Sequence, residues 1–281
     1  MRTFLLVISA GILSFVGCTK VTSTMPQPLQ NTTANQKYRA MPNIAGSLSF
    51  SVLYMFTGGA DGAAPFGNLV RDEAGNLYGT TQALNNKGLG GGVVFKLSPN
   101  GQETALHTFT GPDGANPMAG LVRDVAGNLY GTTFNGGASG VGVVFKVNHD
   151  GVETVLHSFG RRGGDGPLAG LVRDAAGNLY GTAAHGGAIS HCAGDDGCGV
   201  VFKVDASRHY TVLHNFSGSP DGSTPTGDLI RDASGNLYGT TSAGGTHGSG
   251  TVFKLDSSGN EIVVYNFKHT DGSPFAGLVL G

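Results

Sequence analysis

From about residue 50 onward, short apolar runs alternate with small polar clusters, and the runs return in a fixed order. In the clearest copy they occupy 119–123, 128–133, 142–147 and 153–159. Each is a few residues long, rich in Val, Phe, Tyr and Thr, and bounded by Gly, Asp or Asn, which predicts strands. Segments 93–97, 200–204 and 251–255 repeat the third run, and 103–109, 210–216 and 261–267 repeat the fourth. No run sustains a helical period, which excludes a helical solenoid. The third run is apolar on both sides (Val143, Val144, Phe145), so neighbours are expected on both faces. In the fourth, alternation places Val155, His157 and Phe159 on one side and Leu156 and Ser158 on the other.

The first and second runs are joined by Arg-Asp-x-x-Gly-Asn-Leu-Tyr-Gly-Thr, which starts at Arg71, Arg123, Arg173 and Arg231. Its Asp residues (Asp72, Asp124, Asp174, Asp232) are spaced by 52, 50 and 58 positions. Asp opening a type I turn accepts backbone N–H groups. Gly at the fourth position (Gly75, Gly127, Gly177, Gly235) takes the left-handed conformation that other residues resist. A catalytic group needs no copies, so four copies mark a structural turn. The pairs Gly136-Gly137, Gly186-Gly187 and Gly244-Gly245, with Gly91-Gly92 nearby, predict a longer hairpin loop between the second and third runs.

After the fourth run comes Asp-Gly, at Asp61, Asp113, Asp165, Asp221 and Asp271. These linkers lack the dense oxygen spacing of a calcium loop and read as turns. His107, His157 and His214 share their position with Tyr54 and Tyr265. A place that accepts either ring asks for a flat amphipathic group packed between layers, rather than a base or a ligand. Arg on the first run, and Lys96, Lys146, Lys203 and Lys254 on the third, are expected to pair across strands with nearby carboxylates.

Tandem four-stranded antiparallel units of about 50 residues are what β-propeller blades look like. The expected class is all-β, a propeller of four full repeats plus a partial fifth. Ala119-Gly120, Ala169-Gly170 and Ala276-Gly277 supply the small residues an innermost strand needs. A lone fourth-type run (52–56) precedes the repeats and a lone first-type run (275–280) follows them. Together they read as a reduced closing blade or as a chain cut short.

Composition adds the cellular address. Gly is abundant at 49 residues, Trp is absent, and the net charge of −2 leaves no basic footprint for nucleic acid. Residues 1–18 read as a lipoprotein-type signal: Arg2, an apolar stretch over 4–15 too short to span a bilayer, then Val16-Gly17-Cys18. Cys18 would carry the lipid, and Thr19 after it implies the outer membrane. Phe15 stands where such sites usually carry Leu, and an ordinary signal peptide cut near Gly17 is the alternative. Residues 19–45, rich in Thr, Ser, Gln, Asn and Pro, read as a flexible tether. Residues 46–281 form the repeat domain. In an exporting compartment Cys192 and Cys198 are expected to form a local disulfide. The other reading is a metal site of His191, both thiols and Asp195, which lacks a second ligand cluster at zinc spacing.

The units resemble the bacterial GloVer tandem repeat. The resemblance rests on Gly120-Leu121-Val122-Arg123, Gly170-Leu171-Val172-Arg173 and Gly277-Leu278-Val279, with looser copies at 68–71 and 228–231. It continues through Asn-Leu-Tyr-Gly-Thr and Val-Phe-Lys over about residues 50–281. It implies a propeller-like, surface-exposed protein of the choice-of-anchor kind and brings no activity, cofactor or catalytic residue. Kelch, WD and sialidase-type repeats are disfavoured by the absent Trp and Tyr signatures. The expected function is a monomeric, surface-anchored, non-catalytic binding or scaffold protein. It would take a glycan, a peptide or a surface protein, and touch the membrane only through its lipid. The alternative is an extracytoplasmic hydrolase or lyase acting on polysaccharide. Its groups should break the repeat, and the strongest break is 188–198, with His185, His191, Asp195 and Asp196. Carboxylates beside histidines suit acid–base work, although paired Asp in a Gly-rich loop is also simply solvated.

Overall fold

The computed structural model describes residues 8–9, 51–82, 91–187, 192 and 197–279, and every regular element among them is a β-strand. A short parallel pair comes first, β1 (Ile8–Ser9) on β2 (Met55–Phe56). Four blades follow. The first is β3 (Val70–Arg71), β4 (Leu77–Thr81), β5 (Val93–Leu97) and β6 (Glu103–Thr108). The second is β7 (Val122–Arg123), β8 (Leu129–Thr133), β9 (Val143–Val147) and β10 (Glu153–Ser158). The third is β11 (Val172–Arg173), β12 (Leu179–Ala183), β13 (Val200–Val204) and β14 (Tyr210–Asn215). After β15 (Ser223–Pro225) comes the fourth: β16 (Ile230–Arg231), β17 (Leu237–Ala243), β18 (Thr251–Leu255) and β19 (Glu261–Asn266). Within each blade the strands pair antiparallel in chain order, and β15 adds to the edge of β17. This is the repeated-blade, propeller-type architecture that the runs predict. Of the expected partial fifth unit, Met55–Phe56 is a strand, and 275–279 contains none.

The first strands are two residues long, and the residues just before them lie against the neighbouring unit. There, a Cβ on Gly67 would lie 2.4 Å from the Ala119 carbonyl oxygen. Thr80, Thr132 and Thr240 donate to the carbonyls of Ala119, Ala169 and Ala276 in the next unit at 3.0, 3.1 and 3.0 Å. Small residues let neighbouring chains come this close.

The Asp turn has the expected form. Asp124 accepts from the Asn128 backbone at 2.9 Å, the Asn128 side chain at 2.8 Å and the Tyr130 hydroxyl at 3.0 Å. Gly127 sits at φ 87° with the Arg123 guanidinium 3.2 Å from where a Cβ would stand, so both backbone and space require Gly. In the first copy the Asn76 side chain, outweighing burial, holds Asp72 down at about 2, with help from Tyr78 and Arg123. For Asp124, burial pushes upward, but the bonds from Asn128 and Tyr130 outweigh it and the carboxyl is lowered.

Because those carboxylates are occupied within their own turns, the first-strand arginines find another partner. Arg123 lies over the Tyr78 ring of the preceding blade at 5.8 Å, Arg173 over Tyr130 at 5.7 Å and Arg231 over Tyr180 at 5.8 Å. Lys203 and Lys254 sit over Tyr180 and Tyr238 at 6.0 and 5.9 Å. For Arg123, Arg173, Arg231, Lys203 and Lys254 the contact seen is thus cation–π rather than a direct ion pair with a carboxylate, and three of the five reach the preceding blade.

The apolar core lies at the boundaries between blades. Val94 and Phe109 of the first unit pack with Leu129, Val143, Phe145 and Val147 of the second. Val144 and Phe159 pack with Leu179, Val200, Phe202 and Val204 of the third, and Val201 and Phe216 with Leu237, Phe253 and Leu255 of the fourth. At each boundary a Phe ending one unit meets the third-strand Phe of the next edge-on. The pairs are Phe56–Phe95, Phe109–Phe145, Phe159–Phe202 and Phe216–Phe253, with ring centroids 4.8–5.1 Å apart. The receiving ring also fixes the Gly of Leu-Tyr-Gly-Thr, since a Cβ on Gly131 would stand 2.7 Å from Phe145 Cζ.

The fourth strands depart from simple alternation. In β10 the register passes from Val155↔Phe145 to His157↔Val144, leaving Leu156 as a bulge. Val155 therefore faces the preceding blade, while Leu156 and His157 face the following one. This corrects the expectation that Val155 and His157 share a side. The same shift recurs in β6, β14 and β19.

Phe145 is fully buried, so Phe145→Ala should cost about 3–5 kcal/mol in denaturant unfolding. Val125, fully exposed on the turn, should tolerate Ser within about 0.5 kcal/mol. The Cys192–Cys198 disulfide closes a short loop, and Cys192→Ser with Cys198→Ser should remove about 2 kcal/mol.

Candidate functional site

The linkers carry the polar chemistry of the boundaries. His107 Nε2 lies 3.0 Å from Asp113 Oδ2, and Thr110 holds Oδ1 through its backbone at 2.8 Å and hydroxyl at 2.9 Å. His214 and Ser217 hold Asp221 in the same way, and Tyr54 and Thr57 hold Asp61. Tyr265 donates to Asp271 at 3.0 Å. This explains why the position takes His or Tyr: both rings place a donor on the same carboxylate. Facing three of these pairs across the boundary is the first residue of the next fourth strand, Glu103, Glu153 or Glu261. The Oε1 atom of each is buried and accepts no hydrogen bond. Burial, then the nearby Asp61, raises Glu103, and burial with Asp113 pushes Glu153 up to about 7.

The boundary between the second and third blades is built differently. Counting from Phe159, Gly163 takes the place of Asp113, and Asp165 takes the place of Ala115. The equivalent backbone bridges Ala115↔Asn135 and Asp165↔His185 fix that register. Asp165-Gly166 is therefore not a copy of the other Asp-Gly linkers, as the dipeptide suggested. Tyr210 stands where the other blades carry Glu. Its ring stacks on His157 at 3.7 Å and 5°, and its hydroxyl donates to the Gly163 carbonyl. Burial lowers His157 to about 4 and raises Tyr210.

This altered boundary opens into a cleft of about 450 Å³ lined by His157, Gly160, Arg161, Arg162, Gly163 and Tyr210. Arg161 and Arg162 are exposed, and the Arg161 carbonyl accepts from Gly187 N at 2.9 Å, at the foot of the 188–198 insertion. That insertion is pinned by the Cys192–Cys198 disulfide, with Cα atoms 5.4 Å apart and Cys198 buried against Val201 and Phe216. Bonded to each other, the two sulfurs are not thiolate ligands, which removes the metal reading of that loop. Of the loop residues singled out in the sequence, His185 is seen, paired through its backbone with Asp165. His191, Asp195 and Asp196 lie outside the described residues, as does Cys18. The repeat-turn residues Asp72, Asp124, Asp174 and Asp232 belong to their own hairpins.

Sequence reasoning missed Glu103, Glu153, Glu261 and the pair Arg161-Arg162. Spacing measured from the boundary Phe, instead of from the Asp-Gly dipeptide, would have exposed both the missing Asp at Gly163 and its matching Tyr210. It also missed the contact of Asp228, which stands where Gly120, Gly170 and Gly277 stand in their own runs and accepts from Gly170 N at 2.6 Å.

His157 yields a pH test. Its folded pKa lies below the ordinary 6.5, at about 4, so the unfolded chain binds more protons between these values. Its contribution to stability is complete above pH 6.5 and is lost as pH falls toward 4. His157→Phe, which keeps the stack on Tyr210, should lack that loss. The difference in denaturant midpoint between variant and parent should shift in the variant's favour from pH 7 to pH 4; a constant difference would refute this account.

Comparison with known proteins places the chain. Among solved structures it is similar to a protein classed as a gluconolactonase, at 18% identity and a TM-score of 0.42, over 69% of this chain and 61% of that one. It is also similar to a gluconolactonase of Xanthomonas campestris, at 12% identity and TM-score 0.37 over 70% and 75% of the two chains. A luciferin-regenerating enzyme gives 13%, 0.41, 76% and 79%. The chain thus spans 61% of the length of the first of these. No curated protein matches it. Residues 38–193 and 90–281 both match the Gloeobacter/Verrucomicrobia repeat. The chain belongs to the Gloeobacter/Verrucomicrobia repeat family.

Proposed function

We propose that this repeat scaffold is an exported, surface-anchored binding protein that engages an acidic glycan at the boundary between its second and third blades. The observation that carries the reading is the pair of exposed guanidiniums, Arg161 and Arg162, beside the cleft floored by His157 and Tyr210. Guanidinium groups grip carboxylates and sulfates through two parallel N–H donors, and largely apolar walls accept the face of a sugar ring. The recurring groups elsewhere are consumed by turns and boundaries. Three departures from the repeat converge here: Gly163 for Asp, Tyr210 for Glu and the two arginines. Support for the address comes from the lipoprotein-type sequence around Cys18, the polar tether after it, and the disulfide, which persists in oxidising compartments.

The test is a binding panel of acidic and neutral polysaccharides with the full chain. Acidic polymers should bind, and Arg161→Ala with Arg162→Ala should weaken binding at least tenfold, as expected for charge-assisted hydrogen bonds of about 1.5–3 kcal/mol. Equal affinity for neutral polymers, or no effect of the double substitution, would sink the reading. Turnover of a polymer that is abolished by Asp195→Ala would favour a hydrolase or lyase instead. Mass spectrometry of the mature protein should show Cys18 as a lipidated N-terminus.

A further inference from the structure

The boundary between the first and second blades brings an imidazole and two carboxylates together. His107 and Asp113 come from the first unit and Glu153 from the second, and their donor atoms all lie within 4.8 Å of one another. All three side chains are half-buried. Two observations make this more than an acidic surface patch. Glu153 Oε1 is buried and accepts no hydrogen bond, so this carboxylate of the cluster has an acceptor without a donor. The second observation is internal to the chain. At three boundaries an Asp in the linker faces a Glu from the next blade: Asp61 with Glu103, Asp113 with Glu153 and Asp221 with Glu261. Where the Asp is replaced by Gly163, the Glu is replaced too, by Tyr210, whose hydroxyl then bonds the Gly163 carbonyl. The two carboxylates come and go together, as partners in one site do.

Two carboxylates held side by side in a low-dielectric seam repel unless a proton or a cation lies between them. His107 adds a nitrogen donor to the two oxygens. We propose that His107, Asp113 and Glu153 form a binding site for a borderline divalent cation of the Zn²⁺ type, bridging the first and second blades. One nitrogen and two carboxylate oxygens suit such an ion better than Ca²⁺, which takes oxygen ligands. The His107 to Asp113 contact is 3.0 Å, close to the roughly 3.4 Å between ligand atoms of a tetrahedral zinc site, so drawing in Glu153 completes a three-ligand face. Nε2 of His107 ligates the ion in the tautomer that carries its proton on Nδ1, and the ion displaces any proton carried by Glu153. Thr110 keeps Asp113 oriented through its second oxygen. Among the described residues this triad alone brings three such donors so close.

The test is calorimetric titration of the untagged, EDTA-stripped full chain with ZnCl₂, with CaCl₂ as comparator. Zn²⁺ should bind this site, with Ca²⁺ at least tenfold weaker. His107→Gln, Asp113→Asn and Glu153→Gln should each weaken the Zn²⁺ isotherm at least tenfold, while Glu73→Gln on an exposed turn leaves it unchanged. Glu153→Gln has the same shape as the parent and removes a repelling charge, so it decides the matter even if the other variants fail to fold. Absence of Zn²⁺ binding, or binding indifferent to Glu153→Gln, overturns the site and leaves a proton shared between Asp113 and Glu153.

Discussion

The edge-to-face contact between the Phe that ends one unit and the Phe at the centre of the next blade's third strand is the interaction on which the fold depends. Each receiving ring is fully buried and covers a Gly on its neighbouring strand. Substituting that Gly would lift the ring, and lifting the ring would separate the blades. A two-sided third strand follows, because one side packs its own Phe while the other receives the next unit. Each isolated blade would expose half a core, so stability belongs to neighbouring pairs, as in other repeat architectures.

Polar groups are fitted around this packing. Turn carboxylates are used up by Asn and Tyr within their hairpins, and the first-strand arginines settle over tyrosines of the preceding blade. Linker carboxylates are oriented by His or Tyr and by Thr or Ser. The structure thus separates two kinds of acid. One is fully satisfied inside a turn and held low, as Asp72 is; the other, typified by Glu153, is buried at a seam and raised.

The blade architecture was legible in the sequence because its signals are local. Asp and Gly at fixed offsets force a turn whatever surrounds them, and a run such as Val143-Val144-Phe145 cannot tolerate a wet face. What was misread depended on register or on distant partners. Leu156 looks like an ordinary alternating residue, and only the ladder shows it as the bulge that turns His157 toward the next blade. Asp165-Gly166 imitates the other linkers in spelling while sitting two positions out of step with them. Arg123 was assigned a carboxylate because nothing in its neighbourhood of the chain announces Tyr78 of the previous repeat. Glu153 was overlooked for the same reason, since Asp113 lies forty positions earlier and meets it only across a boundary.

The coupled exchange of Gly163 and Tyr210 for Asp and Glu sets the boundary between the second and third blades apart from the other three. Four units with nearly the same strands are prone to pair out of order, because any one offers an acceptable apolar face to any other. A blade beginning its fourth strand with Tyr210 fits behind the unit that ends in His157 and Gly163, where its hydroxyl finds a carbonyl and its ring a stack. Set behind His107 and Asp113, the same tyrosine would meet a carboxylate already bonded to its own imidazole and threonine. A difference confined to one seam thereby lets the third blade recognise the second among otherwise interchangeable neighbours.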